Sequence, residues 1–335
     1  MMRLSESLRR NIMKTTIGGI LNKFKGKSRR NTLFFEEILA NYIKECEKAG
    51  YGKNIKEIGQ KWIAIISPNF IPSSLKKLSP ILLTRMIKEA WINIGIVDDL
   101  HITKKDNTIK ATTKNECITR IIGKNKFMIG CSEGLLNSLH GFRISCVEAI
   151  QTKKYCEYKF EIKDDIIKYQ SKKKSLYDNL NYLPSIEGFT LKDALKKNIL
   201  KLKDNKICFR DKPLIFIENT LFHLLANRDL LLEKISELSY NHFNKIIKAE
   251  SSNNKKLSLI KFLLQVMGWG IITIISKENK IIIKIKNPPY GFQLEEDNWG
   301  FLVRTILGYL HLLDKNFEIL NVNEFHKNLE IIYSV

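Results

Sequence analysis

The chain repeats itself at a spacing of about 173 residues, and this constrains its fold more than any other feature. KEAWINIGIVDDLHITKKDNTIKAT, starting at Lys88, aligns with KFLLQVMGWGIITIISKENKIIIKI, starting at Lys261. Gly95 then falls on Gly268, Lys104 on Lys277 and Ile109 on Ile282. Each stretch predicts an amphipathic helix, a Gly-marked turn and two strands. The strands join at Lys104-Lys105-Asp106-Asn107 in the first copy and Ser276-Lys277-Glu278-Asn279 in the second. FMIGCSEGLLNSLHG from Phe127 aligns with FLVRTILGYLHLLDK from Phe301, with Gly134 on Gly308, and predicts a further helix. FRISCVEAIQTKKYCEYKFEI and FEILNVNEFHKNLEIIYSV follow, each reading as two more strands. Upstream, NIKEIGQKWIAII and LLEKISELSYNHF are corresponding helices. The repeating unit is helices, β-hairpin, helix, β-hairpin. The fold class is therefore α+β: two tandem domains, each with helices packed on an antiparallel sheet, at residues 30–163 and 206–335.

Residues 164–205 read as a linker. They contain a short helix after Thr190, which caps it with Asp193 in the first turn. KICFRDKPLIFI opens the second half as an extra hairpin turning at Arg210-Asp211-Lys212-Pro213. Residues 1–29 read as a basic amphipathic arm. Leu4, Leu8, Ile12, Ile17, Leu21 and Phe24 stand at near-helical spacing, although Gly18-Gly19 weakens a continuous helix. A flexible arm is the preferred reading. Peripheral contact with an anionic membrane comes second, and a transit-type presequence is the third alternative.

Of the net charge of +21, residues 1–30 carry nine basic residues against Glu6 alone. The rest follows a Lys-, Ile- and Asn-rich bias, and no nucleic-acid-binding module is present, so a nucleic-acid partner is disfavoured. With 44 % hydrophobic residues the chain can bury a large core, and no apolar run is long enough to span a bilayer. The six cysteines, Cys46, Cys117, Cys131, Cys146, Cys156 and Cys208, are irregularly spaced. They read as free thiols of a reducing compartment, cytoplasm or plastid stroma.

Catalytic motifs are scarce. Asn287-Pro288-Pro289-Tyr290 matches the tetrapeptide of amino-group DNA methyltransferases, but no Gly-rich cofactor loop or alternating βαβ pattern accompanies it. The two prolines read simply as a strand stop. His101, His140, His223, His242, His311 and His326 are scattered. Glu295-Glu296-Asp297, before Trp299-Gly300-Phe301, suits the N-terminus of the next helix. No residue is assigned a catalytic role.

The stretch from Phe127 to Ile162 resembles the 4-vinyl-reductase-type, or hydrocarbon-binding, domain. The resemblance rests on Cys131-Ser132-Glu133-Gly134, then Ile144-Ser145-Cys146-Val147-Glu148, then Tyr155-Cys156-Glu157-Tyr158-Lys159-Phe160-Glu161-Ile162. It implies a fold similar to vesicle-tethering TRAPP subunits and a dimer-like pairing, here intramolecular. It also implies a non-enzymatic role in binding a small hydrophobic or tetrapyrrole-type ligand, with pigment handling or photosystem assembly in a plastid or cyanobacterial setting. Some members hold structural zinc with three cysteines and a glutamate. Carried over, these are Cys131, Glu148 and Cys156, with Gln151 where the remaining cysteine would stand and Cys146 as a substitute. The other reading is three buried thiols acting as small apolar residues. The second half has Thr305, Asn323 and Ile331 near those places and no such site.

The resemblance puts a ligand pocket between helices and sheet. Its candidate residues are Trp91, Phe127 and Phe142 in the first half, and Trp269, Tyr290 and Trp299 in the second. Trp62, Met86, Phe262, Met267 and Tyr309 are further apolar candidates, and plain core is the competing role for each. A ligand-free scaffold or assembly factor holding protein partners is the alternative function, and a basic nucleic-acid-associated protein the second alternative.

Overall fold

The computed structural model describes residues 13–24, 27–70, 80–166, 189–247, 252–291, 294 and 296–335. It is mixed α+β with antiparallel sheets, in two compact units. The first comprises residues 39–166 with 204–206, and the second residues 13–38, 189–203 and 207–335 among those described. The division falls inside helix α1 (Glu36–Lys48).

In the first unit, α2 (Gly52–Phe70) and α3 (Pro80–Asn93) precede the hairpin of β4 (Asp99–Lys105) and β5 (Thr108–Lys114). The one-turn α4 (Thr119–Ile122) and α5 (Lys126–His140) follow, then β6 (Phe142–Gln151) and β7 (Tyr155–Ile166). The sheet order is β4-β5-β7-β6. Asn125 caps α5 by accepting the Met128 N–H (2.9 Å), and Gly141 ends it in the left-handed region. Ile109, Ala111, Leu136, Ile144, Cys156, Tyr158 and Phe160 form the core between α5 and the sheet. The helices α2 and α5 lie backbone to backbone. A methyl group at Gly130 would sit 2.0 Å from the Lys56 carbonyl oxygen, and one at Gly134 2.3 Å from that of Gln60.

The second unit carries two sheets. One is six-stranded, in the order β1-β2-β3-β10-β9-β8, from β1 (Met13–Thr16), β2 (Gly19–Phe24), β3 (Lys27–Phe35), β8 (Lys201–Lys203), β9 (Lys206–Phe209) and β10 (Lys212–Glu218). The expected helix after Thr190 is α6 (Leu191–Lys196), with Thr190 and Asp193 forming a capping box. The extra hairpin is β9–β10, turning at Arg210 and Asp211, both at positive φ. Next come α7 (Thr220–Arg228), α8 (Glu233–Asn244) and α9 (Asn253–Val266), then the hairpin of β11 (Ile271–Lys277) and β12 (Lys280–Lys286). Helix α10 (Gly300–Leu310) and the strands β13 (Glu318–Phe325) and β14 (Asn328–Ser334) complete it. The four-stranded order is β11-β12-β14-β13, the same as in the first unit. Gly308 repeats the close approach of Gly134: a methyl group there would sit 2.3 Å from the Ser236 carbonyl oxygen on α8.

Three expectations need correction. The basic arm at 1–29 is not helical over its described part, since residues 13–16 and 19–24 are strands and β3 continues from 27. Gly18, at φ 66°, turns β1 into β2, and any side chain there would strike the Gly270 backbone at 2.2 Å. Met13, Ile17, Ile20 and Leu21 are buried along these strands and their turn, while Leu4, Leu8 and Ile12 lie outside the described residues. The start of the first domain at residue 30 fails for the same reason, because β3 pairs with β10 of the second unit. Finally, the hairpins match one residue out of the register expected. Ile109 is buried opposite Lys104, and its counterpart is Ile281, buried opposite Ser276, rather than Ile282. The first unit has one more residue than the second between the turn glycine and the strand, and a one-residue slip exchanges the faces of a strand.

Candidate functional site

The proposed zinc ligands do not converge. Cys146 lies opposite Phe160 and Cys156 opposite Gln151, so they are four rungs, about 13 Å, apart along the sheet. The Glu148 side chain is exposed, and its carbonyl accepts the Cys146 thiol (3.2 Å). Cys131 on α5 is buried facing Gly59 of α2. Among the described residues no three His, Cys, Asp or Glu side chains are grouped as metal ligands. Burial raises the Cys146 and Cys156 thiols to about 11, so both stay protonated near neutrality.

The sequence reading missed Glu116. Its carboxylate is fully buried and accepts from Thr119 Oγ1 (2.6 Å), Tyr158 Oη (2.6 Å), Thr113 Oγ1 (3.3 Å) and Cys156 Sγ (3.6 Å). Burial pushes its pKa up against those four donors. The network runs on: Gln151 Nε2 donates to Tyr158 Oη (3.0 Å), and Gln151 Oε1 accepts the Asn125 N–H (2.9 Å) at the cap of α5. It ties the sheet to the helix. Thr113 and Thr119 stand three residues on either side of Glu116, but Tyr158 and Cys156 come from β7 and only the fold brings them to it.

Of the six ligand candidates, Trp299 lines the cleft described below, and the other five are placed as follows. Trp91 is buried in α3, and Phe127 is buried against Trp62 (6.2 Å between rings). Phe142 is 40 % exposed at the start of β6. Trp269 is fully buried, stacked on Phe34 (5.9 Å) and donating to the Leu33 carbonyl (3.1 Å). Tyr290 is fully buried; its ring meets Trp299 edge-on (5.3 Å), and its hydroxyl donates to the His326 carbonyl (3.2 Å). Of the further candidates, Trp62, Met267 and Tyr309 are buried and Phe262 is half-buried; the Met86 side chain lies outside the described residues. The NPPY segment serves the fold: Arg30, buried on β3, donates to the carbonyls of Asn287 (2.6 Å) and Pro288 (2.7 Å).

Trp299 borders a cleft of about 400 Å³ in the second unit, between the start of α10 and the inner face of β13. The lining is Trp299, Val303, Ile319 and Val322 below, with Asn227, Glu296, Asp297, Asn298, Gly300 and Arg304 around it. Its wall is held from behind by His223 on α7. The imidazole Nδ1 accepts the Asn298 N–H (3.0 Å), and Nε2 lies 2.9 Å from the Pro289 carbonyl and 3.2 Å from Asp297 Oδ1. Asp297 also accepts the Gly291 N–H (2.7 Å); burial raises its pKa, opposed by His223 and that amide. The Trp299 indole N–H donates to Glu324 Oε2 (2.8 Å) on β13. A polar border with two carboxylates, Glu296 and Asp297, and one cation, Arg304, thus surrounds an apolar floor.

Hydrogen bonds fix which backbone groups of β13 face outward. Asn287 N–H donates to Lys327 O (2.8 Å) and Val335 N–H to Asn279 O (3.1 Å), so odd-numbered residues of β14 turn toward β12. Its even-numbered residues therefore bond β13, where they oppose Asn321, Asn323 and Phe325. The backbone groups of Val322 and Glu324 point away from the sheet. The Val322 N–H is met there by the side chain of its own neighbour, Asn321 (2.9 Å). The corresponding edge of the first unit, β6, is closed differently. Helix α5 reaches over it: Asn137 Oδ1 accepts the Ile144 N–H (2.7 Å) and Glu133 Oε1 the Cys146 N–H (2.8 Å). With Gly134 matched to Gly308, those positions are Leu307 on α10 and His311 just past its end, and Leu307 has no side-chain acceptor to offer. His311 bonds the Phe317 carbonyl instead (3.0 Å).

No protein-family model matches the chain, and no curated protein matches it.

Proposed function

We propose that the protein is a non-enzymatic scaffold, built from two copies of one α+β unit, that holds a protein partner at the second unit. Duplication is supported by the shared strand order and by the matched contacts of Gly134 and Gly308. The observation that carries the binding role is the β13 edge. It is terminal in its sheet among the described residues, it exposes Leu320 (56 %), Val322 (37 %) and Phe325 (47 %), and an apolar cleft runs beside it. Exposed apolar side chains on an edge strand mark an interaction site unless the edge is covered. The resemblance to 4-vinyl-reductase-type domains supports binding over catalysis. A photo-cross-linker at position 322 in the producing cell should give a discrete protein adduct that the same group at exposed Lys53 does not. An identical adduct pattern at both positions, or none at 322, contradicts the reading.

A second reading is favoured by the cleft volume. About 400 Å³ lies within the range of small-molecule sites. An aromatic amphiphile stacked on Trp299 suits it better than a tetrapyrrole enclosed whole. Mass spectrometry of small molecules extracted from purified protein tests this, and a bound aromatic compound released by Trp299→Ala would support it.

A further inference from the structure

Resting on the scaffold reading, we propose that the β13 edge takes one extended segment of a partner chain as an antiparallel fifth strand. That segment carries Lys or Arg two residues before an apolar residue. The outward-facing backbone of Val322 supplies the donor and acceptor of one hydrogen-bonded rung, and that of Glu324 the next. The Asn321 amide now on the Val322 N–H (2.9 Å) stands where the partner's carbonyl oxygen would sit, and is displaced by it.

The side-chain rule follows from the face of the strand. Val322 and Glu324 lie opposite Ile331 and Leu329, which are buried against the helices, so both point to the helix side and the cleft. Paired residues on neighbouring strands project to the same side. The residue opposite Val322 therefore enters the apolar floor formed with Trp299 and Val303 and must be apolar. The residue opposite Glu324 meets that carboxylate and calls for a cation. In an antiparallel segment it precedes the apolar residue by two. Glu296 on the border of the cleft adds to the same charge and Arg304 opposes it, so the preference for a cation rests on Glu324.

Two alternatives fit less well. A second copy of β13 lacks the cation: Glu318–Phe325 reads EILNVNEF, and pairing it with itself about Asn323 sets Val322 against Glu324. The β6 edge of the first unit is already bonded by Asn137 and Glu133 (2.7 and 2.8 Å).

The test uses the full chain and synthetic acetylated, amidated heptapeptides of Thr bearing one Lys-Thr-Val. Backbone amide NMR and titration should show saturable binding with shifts centred on residues 320–325. N-methylation of the peptide Val should abolish binding. Exchange of the peptide Lys for Glu should weaken it at least about tenfold, and Glu324→Lys should restore the Glu peptide, as expected for a charge pair beside a cleft. Val322→Lys, on an exposed site that leaves folding intact, should block the Lys-Thr-Val peptide. Equal binding of the N-methylated peptide overturns the inference. So does self-association lost in Val322→Lys. No binding at millimolar peptide, with a cross-linked partner still captured at 322, overturns the inference and leaves the scaffold reading standing. Absence of both overturns the two together.

Discussion

Gly308→Ala sets two effects of opposite sign against each other. Gly308 is inside α10, where alanine is the better helix former by about 1 kcal/mol. On propensity alone the substitution stabilises. The new methyl group, however, would stand 2.3 Å from the Ser236 carbonyl oxygen and 2.7 Å from Ser239 Cβ on α8. That is roughly 1 Å inside normal contact for the oxygen. A backbone carbonyl cannot rotate away as a side chain does, so the helices must part. Overpacking of this kind costs about 1–3 kcal/mol, and the cost lies at the upper end where the obstacle is backbone. The net expectation is a loss of about 1–2 kcal/mol, and the same for Gly134→Ala, whose methyl would meet Gln60 O at 2.3 Å. Gly50→Ala separates sterics from backbone strain, because nothing lies within 4 Å there and only its positive φ of 90° is penalised. Urea unfolding followed by tryptophan fluorescence measures all three. A neutral or more stable Gly308→Ala protein would refute the close helix contact and, with it, the structural match between the two units.

Glu116→Gln tests the buried carboxylate. Its folded pKa lies above the unfolded 4.5, so its contribution to stability is fully present below the unfolded value and is lost as pH rises through the folded one. Glutamine does not titrate, so the substitution should cost more at pH 5 than at pH 8; a pH-independent difference would contradict this. Arg30→Met removes a buried guanidinium that donates to carbonyls of Gly18, Gly268, Asn287 and Pro288, and should cost about 3–5 kcal/mol and expose the NPPY segment to proteolysis. A proteolysis pattern like that of the parent would argue against the clamp. Cys146 and Cys156, with thiols raised to about 11, should resist alkylation at pH 8 until the protein is unfolded, as timed by mass spectrometry. Rapid native labelling of Cys156 would show that its surroundings are open.

What was legible in the sequence was what local chemistry decides. The Gly95 and Gly268 turns, the Thr190-Asp193 cap, the Arg210-Asp211 hairpin and the Gly134–Gly308 match each rest on a few adjacent residues or on a repeated pattern. The N-terminal segment misled because Ile17, Leu21 and Phe24 suit a helix by spacing, while the Gly18 turn and pairing of β1 and β2 onto β3, which β10 joins at residues 31–35 from nearly 200 residues away, decide for strands. The carried-over zinc ligands failed on distance along the sheet, which a linear motif does not contain. The aromatic cluster was half legible: Tyr290 and Trp299 do meet, but only Trp299 reaches the cleft. The open edge left a trace in the repeat alignment, where Glu133 and Asn137 give way to Leu307 and His311. Reading that trace required knowing that both side chains cap strand amides.

The claim that β13 receives a partner strand is tested most directly by amide hydrogen exchange at Val322 and Glu324. In the protein by itself both amides, which face away from the ladder, should exchange fast, while Asn321 and Asn323, which face β14, are protected. Saturation with the Lys-Thr-Val peptide should slow Val322 and Glu324 by at least about tenfold and leave Ile144 and Cys146 of β6 unchanged. Saturable binding without protection at Val322 and Glu324 would contradict the account.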